Sequence, residues 1–377
     1  MKICMLVSNS IRKDPRVQRE ALSAYNAKIE VLIIGCIDKN YSYSFLKGVP
    51  YSIKLIKSIN IINAKRGVLK KINSIFSFLY MTINFINICL IEKPNIIHAN
   101  DFDTLIAAYV VSIVSRCKVV YDSHEIFSEQ DAIIKINIVK IIIEIIELYI
   151  IKRIDIVISV SNSAAERLAK KYNINKPAVI TNTSFFVYEN ELEKKDKIFS
   201  VLYQGIISKN RGYEEFVKSA KYIDNNIKLI VRGYGPTKKE IEKVVEDSNL
   251  QDKVEFVDPV EIRDLIIAAS KAYIGVVLTK PVSGNFKFTV SNKIFEYVQA
   301  RIPVILSDVP EHRYLNNKYS IGIIINIVTP ENIADTINYL KNNVDVYNKY
   351  RNNVKNAAKE LCWEVEEKKL IEIYKSI

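Results

Sequence analysis

Short apolar runs rich in β-branched residues, each followed by a stretch of helical spacing, recur along the whole chain and restrict its fold more than any other feature. The first half carries them at 2–7, 29–35, 95–98, 117–121, 155–160 and 178–181. The second carries them at 199–204, 227–231, 254–257, 272–278, 303–306 and 321–325. Continuous runs such as 29–35 and 272–278 read as strands buried on both faces. Strands separated by helical segments of roughly 10–20 residues imply right-handed βαβ units and a parallel sheet. An α/β fold follows.

The chain has 377 residues, and single cores seldom grow past ~250–300, so two domains are expected. Hydrophobic residues make up 49%, enough for two packed cores. A polar run from Glu189 to Lys197 interrupts the pattern and reads as a linker. This divides the chain into a first Rossmann-like domain at 1–187, a linker at 188–198 and a second Rossmann-like domain at 199–360. Two doubly wound domains facing each other would bring the carboxyl ends of their strands to one cleft, the expected ligand site.

The net charge of +12 fits nucleic acid, an anionic membrane or a phosphorylated substrate. No zinc-finger spacing or aromatic RNA-binding signature accompanies it, which argues against nucleic acid. The five cysteines are scattered, with no Cys-x-x-Cys pair, so neither a disulfide framework nor a zinc site is indicated and a reducing cytoplasm is the plain reading. The opening run ends in Ser8-Asn9-Ser10 and reads as a first strand rather than a signal peptide.

Residues 72–91 contain no charge and are long enough to cross a bilayer at ~1.5 Å per residue. Asn73, Ser74, Ser77, Thr82, Asn84 and Asn87 are costly in lipid, so a core helix with one polar face is expected. The cluster Lys65, Arg66, Lys70 and Lys71 before it suits peripheral contact with anionic headgroups.

Three loops after strands carry candidate chemistry. Arg232-Gly233-Tyr234-Gly235 precedes Thr237 and Glu240, a capping-box pair, and its glycines allow backbone to approach a ligand. A tight strand-to-helix turn explains the same residues. Ser291-Asn292-Lys293-Ile294-Phe295-Glu296-Tyr297 opens a helix whose N-terminus would attract an anion. Lys293 and Glu296, three residues apart, are either a surface ion pair or a diphosphate contact and a ribose acceptor. Arg211-Gly212 adds a cation, so Arg211, Lys293 and the helix start together would neutralise a diphosphate without a metal.

These segments resemble the family 4 glycosyltransferases, which retain anomeric configuration and have the GT-B fold. The similarity continues through Asp14-Pro15-Arg16-Val17-Gln18-Arg19-Glu20, Ile97-His98-Ala99-Asn100-Asp101, Tyr121-Asp122-Ser123-His124-Glu125, Tyr203-Gln204-Gly205 and Trp363. The resemblance implies that Glu296 holds the donor ribose and that Arg211 and Lys293 face the phosphates, beside the Gly233–Gly235 loop. Arg232, Ser291 and Asn292 belong to the same donor site. His124 is the catalytic candidate, with Arg16, His98, Asn100 and Asp101 on the acceptor side. The tail at 361–377 would form a helix packing back on the first domain. No cofactor or metal is implied; Asp101-Phe102-Asp103 spells a manganese motif but reads as an acceptor-side loop or a helix cap.

Two positions depart from the family pattern. Phe288 stands where an acid often contacts sugar hydroxyls, and Ile206 where an arginine often follows the glycine; Arg232 or Lys209 would compensate. The implied partners are a nucleotide sugar (a UDP-sugar favoured), a glycan or lipid-linked glycan in bacterial surface-polysaccharide synthesis, and an anionic membrane surface, with the protein in the cytoplasm or peripheral on its membrane. A weak partner subunit of the same fold and a sugar-nucleotide epimerase are the competing readings.

Overall fold

A computed structural model describes residues 1–12, 14–37, 48–57, 68–130, 133 and 136–377. The chain forms two compact units. One comprises Met1–Val160, Ala164–Thr181 and Glu367–Ile377; the other comprises Ser161–Ser163 and Asn182–Glu366.

The first unit holds β1 (Lys2–Leu6), β2 (Glu30–Cys36), β3 (Ser52–Ile56), β4 (Ile96–Asn100), β5 (Lys118–Ser123), β6 (Ile156–Ser159) and β7 (Ala178–Val179) in a parallel sheet ordered β3-β2-β1-β4-β5-β6-β7. Its helices are α1 (Pro15–Asn26), α2 (Val68–Glu92), α3 (Phe102–Ser115), α4 (Asn137–Ile151) and α5 (Asn162–Tyr172), the last beginning in the other unit. Asp14 caps α1 by accepting from the Val17 N–H at 3.2 Å, and Pro15 occupies the first turn where a missing N–H costs nothing. Strand β3 escapes the apolar-run criterion because Ser52-Ile53-Lys54-Leu55-Ile56 alternates, as suits an edge.

Helix α2 forms but is not the core helix its polar residues suggest. Only 17% of the apolar stretch Asn73–Glu92 is buried, chiefly the line Thr82, Phe85 and Cys89. Two of its polar side chains bond within the helix itself: Thr82 donates to the Phe78 carbonyl at 2.9 Å and Asn84 to that of Tyr80 at 2.7 Å. Among the described residues it is the one helix long and apolar enough to cross a membrane. Lys65 and Arg66 lie outside the described residues, while Lys70 and Lys71 fall in the first turn of α2.

The second unit holds β8 (Phe199–Gln204), β9 (Ile227–Arg232), β10 (Val254–Val257), β11 (Ile274–Val277), β12 (Val304–Ser307) and β13 (Gly322–Ile325), parallel and ordered β10-β9-β8-β11-β12-β13. Helices α6 (Tyr213–Lys218), α7 (Lys238–Asp247), α8 (Leu265–Ala269), α9 (Gly284–Phe288), α10 (Asn292–Gln299), α11 (Pro310–Tyr319), α12 (Pro330–Asn342), α13 (Val344–Ala357) and α14 (Trp363–Lys375) follow, α14 ending in the first unit. The Trp363 N–H donates to the Ser184 carbonyl at 2.8 Å with the indole fully buried, which fixes where α14 starts.

Each sheet reverses strand order once, between β1 and β4 and between β8 and β11. The carboxyl ends of strands beside such a reversal are the natural ligand sites of open α/β sheets. In the second unit a glycine sets the local packing: a Cβ on Gly275 in β11 would lie 2.4 Å from the Tyr297 ring of α10. Gly275→Ala should therefore destabilise the protein by roughly 1–3 kcal/mol through overpacking, measured by denaturant unfolding. An unchanged midpoint would mean α10 shifts freely on the sheet.

Candidate functional site

In the second unit the candidate residues gather where β8 and β9 end. Gln204 and Arg232, the last residues of these strands, stand in register. The Gln204 side-chain amide donates to Glu296 of α10 at 2.7 Å, and Arg232 donates to the Gln204 side-chain oxygen Oε1 at 3.4 Å. Tyr297, next to Glu296, donates to the Leu202 carbonyl at 3.1 Å and accepts from the Gln204 N–H at 3.0 Å. One buried hydroxyl thus ties α10 to the end of β8.

Glycines let the loops approach. Gly205 has φ +116, and a Cβ there would meet Lys293 Cε at 2.4 Å, so the lysine lies across bare backbone. A Cβ on Gly233, φ +149, would sit 2.0 Å from the Gly205 carbonyl oxygen, and one on Gly235 would sit 2.1 Å from that of Ile207. Both glycines are there because neighbouring backbone leaves no room.

Lys293 and Glu296 form no surface ion pair among the described residues; Glu296 is engaged by Gln204 instead. Burial, with the Arg211 guanidinium close by, pulls the Lys293 ammonium down to about 8. The Arg211 guanidinium lies 5.4 Å from the Phe286 ring centre, and its Nε is buried with no hydrogen-bond partner. Two cations therefore stand close together with Glu296 as the nearby carboxylate acting on Lys293, and the buried, unpartnered Arg211 Nε favours an incoming anion.

Two capping expectations fail here. Ser291 occupies the N-cap position of α10 but makes no side-chain cap bond. Asn292 at the exposed first position and Lys293 after it thus carry N–H groups the hydroxyl does not satisfy. Thr237 donates to the Ile207 carbonyl at 3.1 Å rather than capping α7, which fastens the two glycine loops together. Ile206 points to solvent, and Phe288 sits in α9.

In the first unit the candidates converge on Asp122 at the end of β5. Arg16 of α1 grips it with two bonds, at 2.8 and 3.0 Å, and also meets Glu20 at 3.0 Å and the Ile180 carbonyl at 2.8 Å. His98 Nε2 lies 3.6 Å from both Glu20 and Asp122, while its Nδ1 is 2.6 Å from the Tyr374 hydroxyl of α14. His124 stands between two carboxylates, Nε2 at 3.2 Å from Asp122 and Nδ1 at 3.5 Å from Asp101.

The charges balance inside this cluster. Burial disfavours an imidazolium at His124, but Asp101 and Asp122 outweigh it and raise the ring to about 10. Burial likewise pushes Glu20 and Asp101 up to about 7, so both are only partly ionised near neutrality. Asp122, although buried, is held well below the usual carboxylate range by Arg16 and His124. Asp101 occupies the N-cap position of α3 without capping it; its carboxylate accepts from the His124 N–H at 3.0 Å. Asn100 donates to the Leu6 carbonyl at 2.9 Å and joins β4 to β1.

Glu20, His98 and Asp122 present ligand atoms within 4.8 Å of one another, the spacing of a metal site. The Arg16 guanidinium already contacts both carboxylates, so a divalent ion would have to displace it or share its space. Sequence reasoning gave no role to Gln204, Glu20 or Tyr374. A strand-final Gln before a glycine hints at the first; only the fold joins Tyr374 to His98, 276 positions away.

Two family models match the chain: Glycosyl transferases group 1 over residues 186–361 and Glycosyltransferase Family 4 over residues 48–183. The chain is similar to the O-antigen chain mannosyltransferase RfbU of Salmonella typhimurium, 27% identical over 169 residues. That match takes in 44% of this chain and spans less than half, 46%, of the relative's length. Two solved structures share its fold. One is Anabaena HepE in complex with UDP-glucose, with TM-score 0.76 and 14% identity over 100% of both chains. The other is a sucrose-phosphate synthase from Thermosynechococcus elongatus, with TM-score 0.79 and 15% identity over 100% of this chain and 98% of that one.

The His124 ring provides a direct test of the charge balance. Its raised pKa means that it contributes stability fully below its unfolded value of 6.5, lost as pH rises through about 10. NMR of the imidazole should find it protonated at pH 8, and Asp101→Asn should lower its midpoint by at least about one pH unit. Titration of the wild-type ring near 6.5 would contradict the arrangement.

Proposed function

For a chain that belongs to the family 4 glycosyltransferases and has their GT-B architecture, we propose a retaining transfer of a sugar from a nucleoside-diphosphate sugar, a UDP-sugar favoured, to a glycan or lipid-linked acceptor. The observation that carries the donor half is the grouping of Glu296, Lys293 and Arg211 around the bare backbone of Gly205. A carboxylate has about four acceptor positions; Gln204 takes one on Glu296, leaving room for two ribose hydroxyls. Lys293 and Arg211 would meet the diphosphate, assisted by the first N–H groups of α10. Arg232, which contacts the Gln204 side chain at 3.4 Å, would compensate for the arginine missing at Ile206.

Breaking the sugar–phosphate bond leaves negative charge on the diphosphate. Fixed cations stabilise that charge as it develops, which is usually the largest single contribution to catalysis. On the acceptor side, His124 as an imidazolium donates hydrogen bonds and cannot accept a proton. We therefore assign the acceptor hydroxyl's proton to an oxygen of the departing phosphate, so no carboxylate nucleophile is needed. Arg16, His98, Asn100 and Asp101 hold His124 and its strand ends in place.

UDP-glucose bound to Anabaena HepE supports a uridine donor, and the O-antigen role in the name of the Salmonella relative supports surface-polysaccharide synthesis. We further propose that the protein works in the cytoplasm as a peripheral protein on an anionic membrane, and that it needs no metal. Arg16 on Asp122 and Glu20, and His124 on Asp101, already supply the cations a metal would bring.

Three outcomes follow. Glu296→Ala should weaken UDP binding by roughly 1.5–3 kcal/mol for each charge-assisted bond lost, read by calorimetric titration; equal affinities would leave Glu296 as a partner of Gln204 only. UDP affinity should hold steady below about pH 8 and fall above it as Lys293 loses its proton, a slope that Lys293→Arg should abolish; a slope surviving in the variant belongs to another group. Excess chelator should leave turnover intact, whereas loss restored by manganese would make Asp101 and Asp103 ligands.

A further inference from the structure

One layer of the first unit carries more apolar surface than that unit covers. Helix α2 packs on α3 and α3 on α4, and Tyr109 of α3 meets Tyr149 of α4 edge-on at 6.0 Å. The outward face of this layer exposes Phe76, Leu79 and Ile83 of α2, Ile113 of α3, and Ile142 and Ile145 of α4. The stretch Asn73–Glu92 has a mean hydropathy of 1.8, yet its side chains mostly face outward. A packed layer of helices that exposes this many large apolar side chains marks an interaction site.

The layer is not a span. Thr82, Phe85 and Cys89 of α2 are buried in the first unit, and a helix crossing a bilayer alone would withdraw them. The amide of Asn84, which is half-buried, donates within the helix to the Tyr80 carbonyl at 2.7 Å, which lowers its cost beside lipid.

Charge decides the occupant. On α4, Glu147 is buried and bonded to Tyr121 at 2.6 Å, and Glu144 pairs with Lys171 at 2.9 Å. Helices α2, α3 and α4 lead into the parallel neighbours β4, β5 and β6, so their carboxyl ends share one edge. Lys93, Arg116, Lys152 and Arg153 lie along that edge, exposed, and no carboxylate pairs with them among the described residues. The acids of that edge, Glu30, Glu92 and Asp155, are already held by Lys2, Lys54 and Lys118, so a second copy of the chain would meet these cations with acids that are already paired.

We propose that the outward face of α2, α3 and α4 is a docking surface for an anionic lipid bilayer, lying flat on it with the cationic edge at lipid phosphates. Apolar side chains enter the headgroup boundary while the cations attract the anionic leaflet. This names the surface for the membrane contact proposed above and rests on that reading only for its location in the cell.

Flotation of the full chain with phosphatidylcholine vesicles, with and without phosphatidylglycerol, tests it. The wild type should float with the anionic vesicles and keep part of that binding at high salt, because screening weakens the charges but not the apolar contact. The variant L79E/I83E/I142E/I145E, altered only at exposed positions, should float at least about tenfold less with an unchanged thermal midpoint. Equal flotation of the two proteins overturns the proposal. So does a wild type that ignores vesicles but dimerises where the variant does not. Nucleotide-sugar hydrolysis in solution separates the two readings: if neither protein turns over but only the wild type floats, the transferase reading fails and this surface stands. If both turn over and neither floats, the surface fails alone.

Discussion

The Tyr297 hydroxyl, buried between the end of β8 and the first turns of α10, fixes everything that gives the second unit its chemistry. It donates to one strand residue and accepts from the next but one, so the helix can neither slide nor rotate without losing both bonds. Removing either leaves a buried polar group unsatisfied, which costs roughly 1–3 kcal/mol. Because the helix is pinned there, Glu296 meets Gln204 and Lys293 crosses Gly205. Gly275 beneath the Tyr297 ring is the condition that allows the approach.

The first unit solves a different problem, that of burying many ionisable groups together. Arg16 and an imidazolium at His124 face Asp122, which is held ionised, while burial raises both Glu20 and Asp101 to about 7. Isolated buried charges are costly unless paired and hydrogen-bonded. The pairing of opposite charges in this cluster explains why so polar an arrangement survives at the ends of apolar strands. It also makes His124 a donor rather than a base, a distinction invisible without its neighbours.

Much of the fold was legible because buried parallel strands read as unbroken apolar runs, such as those that became β2 and β11. The edge strand β3 was missed because alternation weakens that signal. Helix α2 was misjudged for a physical reason: Thr82 and Asn84 look polar in a sequence, yet each donates to a carbonyl of its own helix, so neither dictates which face of α2 meets water. The candidate donor-side residues of α10 stood out through spacing in one short segment, Ser291 to Tyr297. The Thr237 cap was misread because its hydroxyl found a carbonyl in a neighbouring loop. Contacts between distant positions, such as Tyr374 with His98, depend on the fold and leave no local pattern.

The central claim is that the glycine-backed cations of the second unit hold a nucleoside diphosphate while its sugar departs with retained configuration. The most direct measurement is proton NMR of the purified protein acting on a panel of nucleotide sugars, following the anomeric resonance of the first-formed product. The account predicts turnover of at least one α-linked UDP-sugar to an α product. A β product from that donor, or no turnover across the panel with or without acceptor lipid, would contradict it.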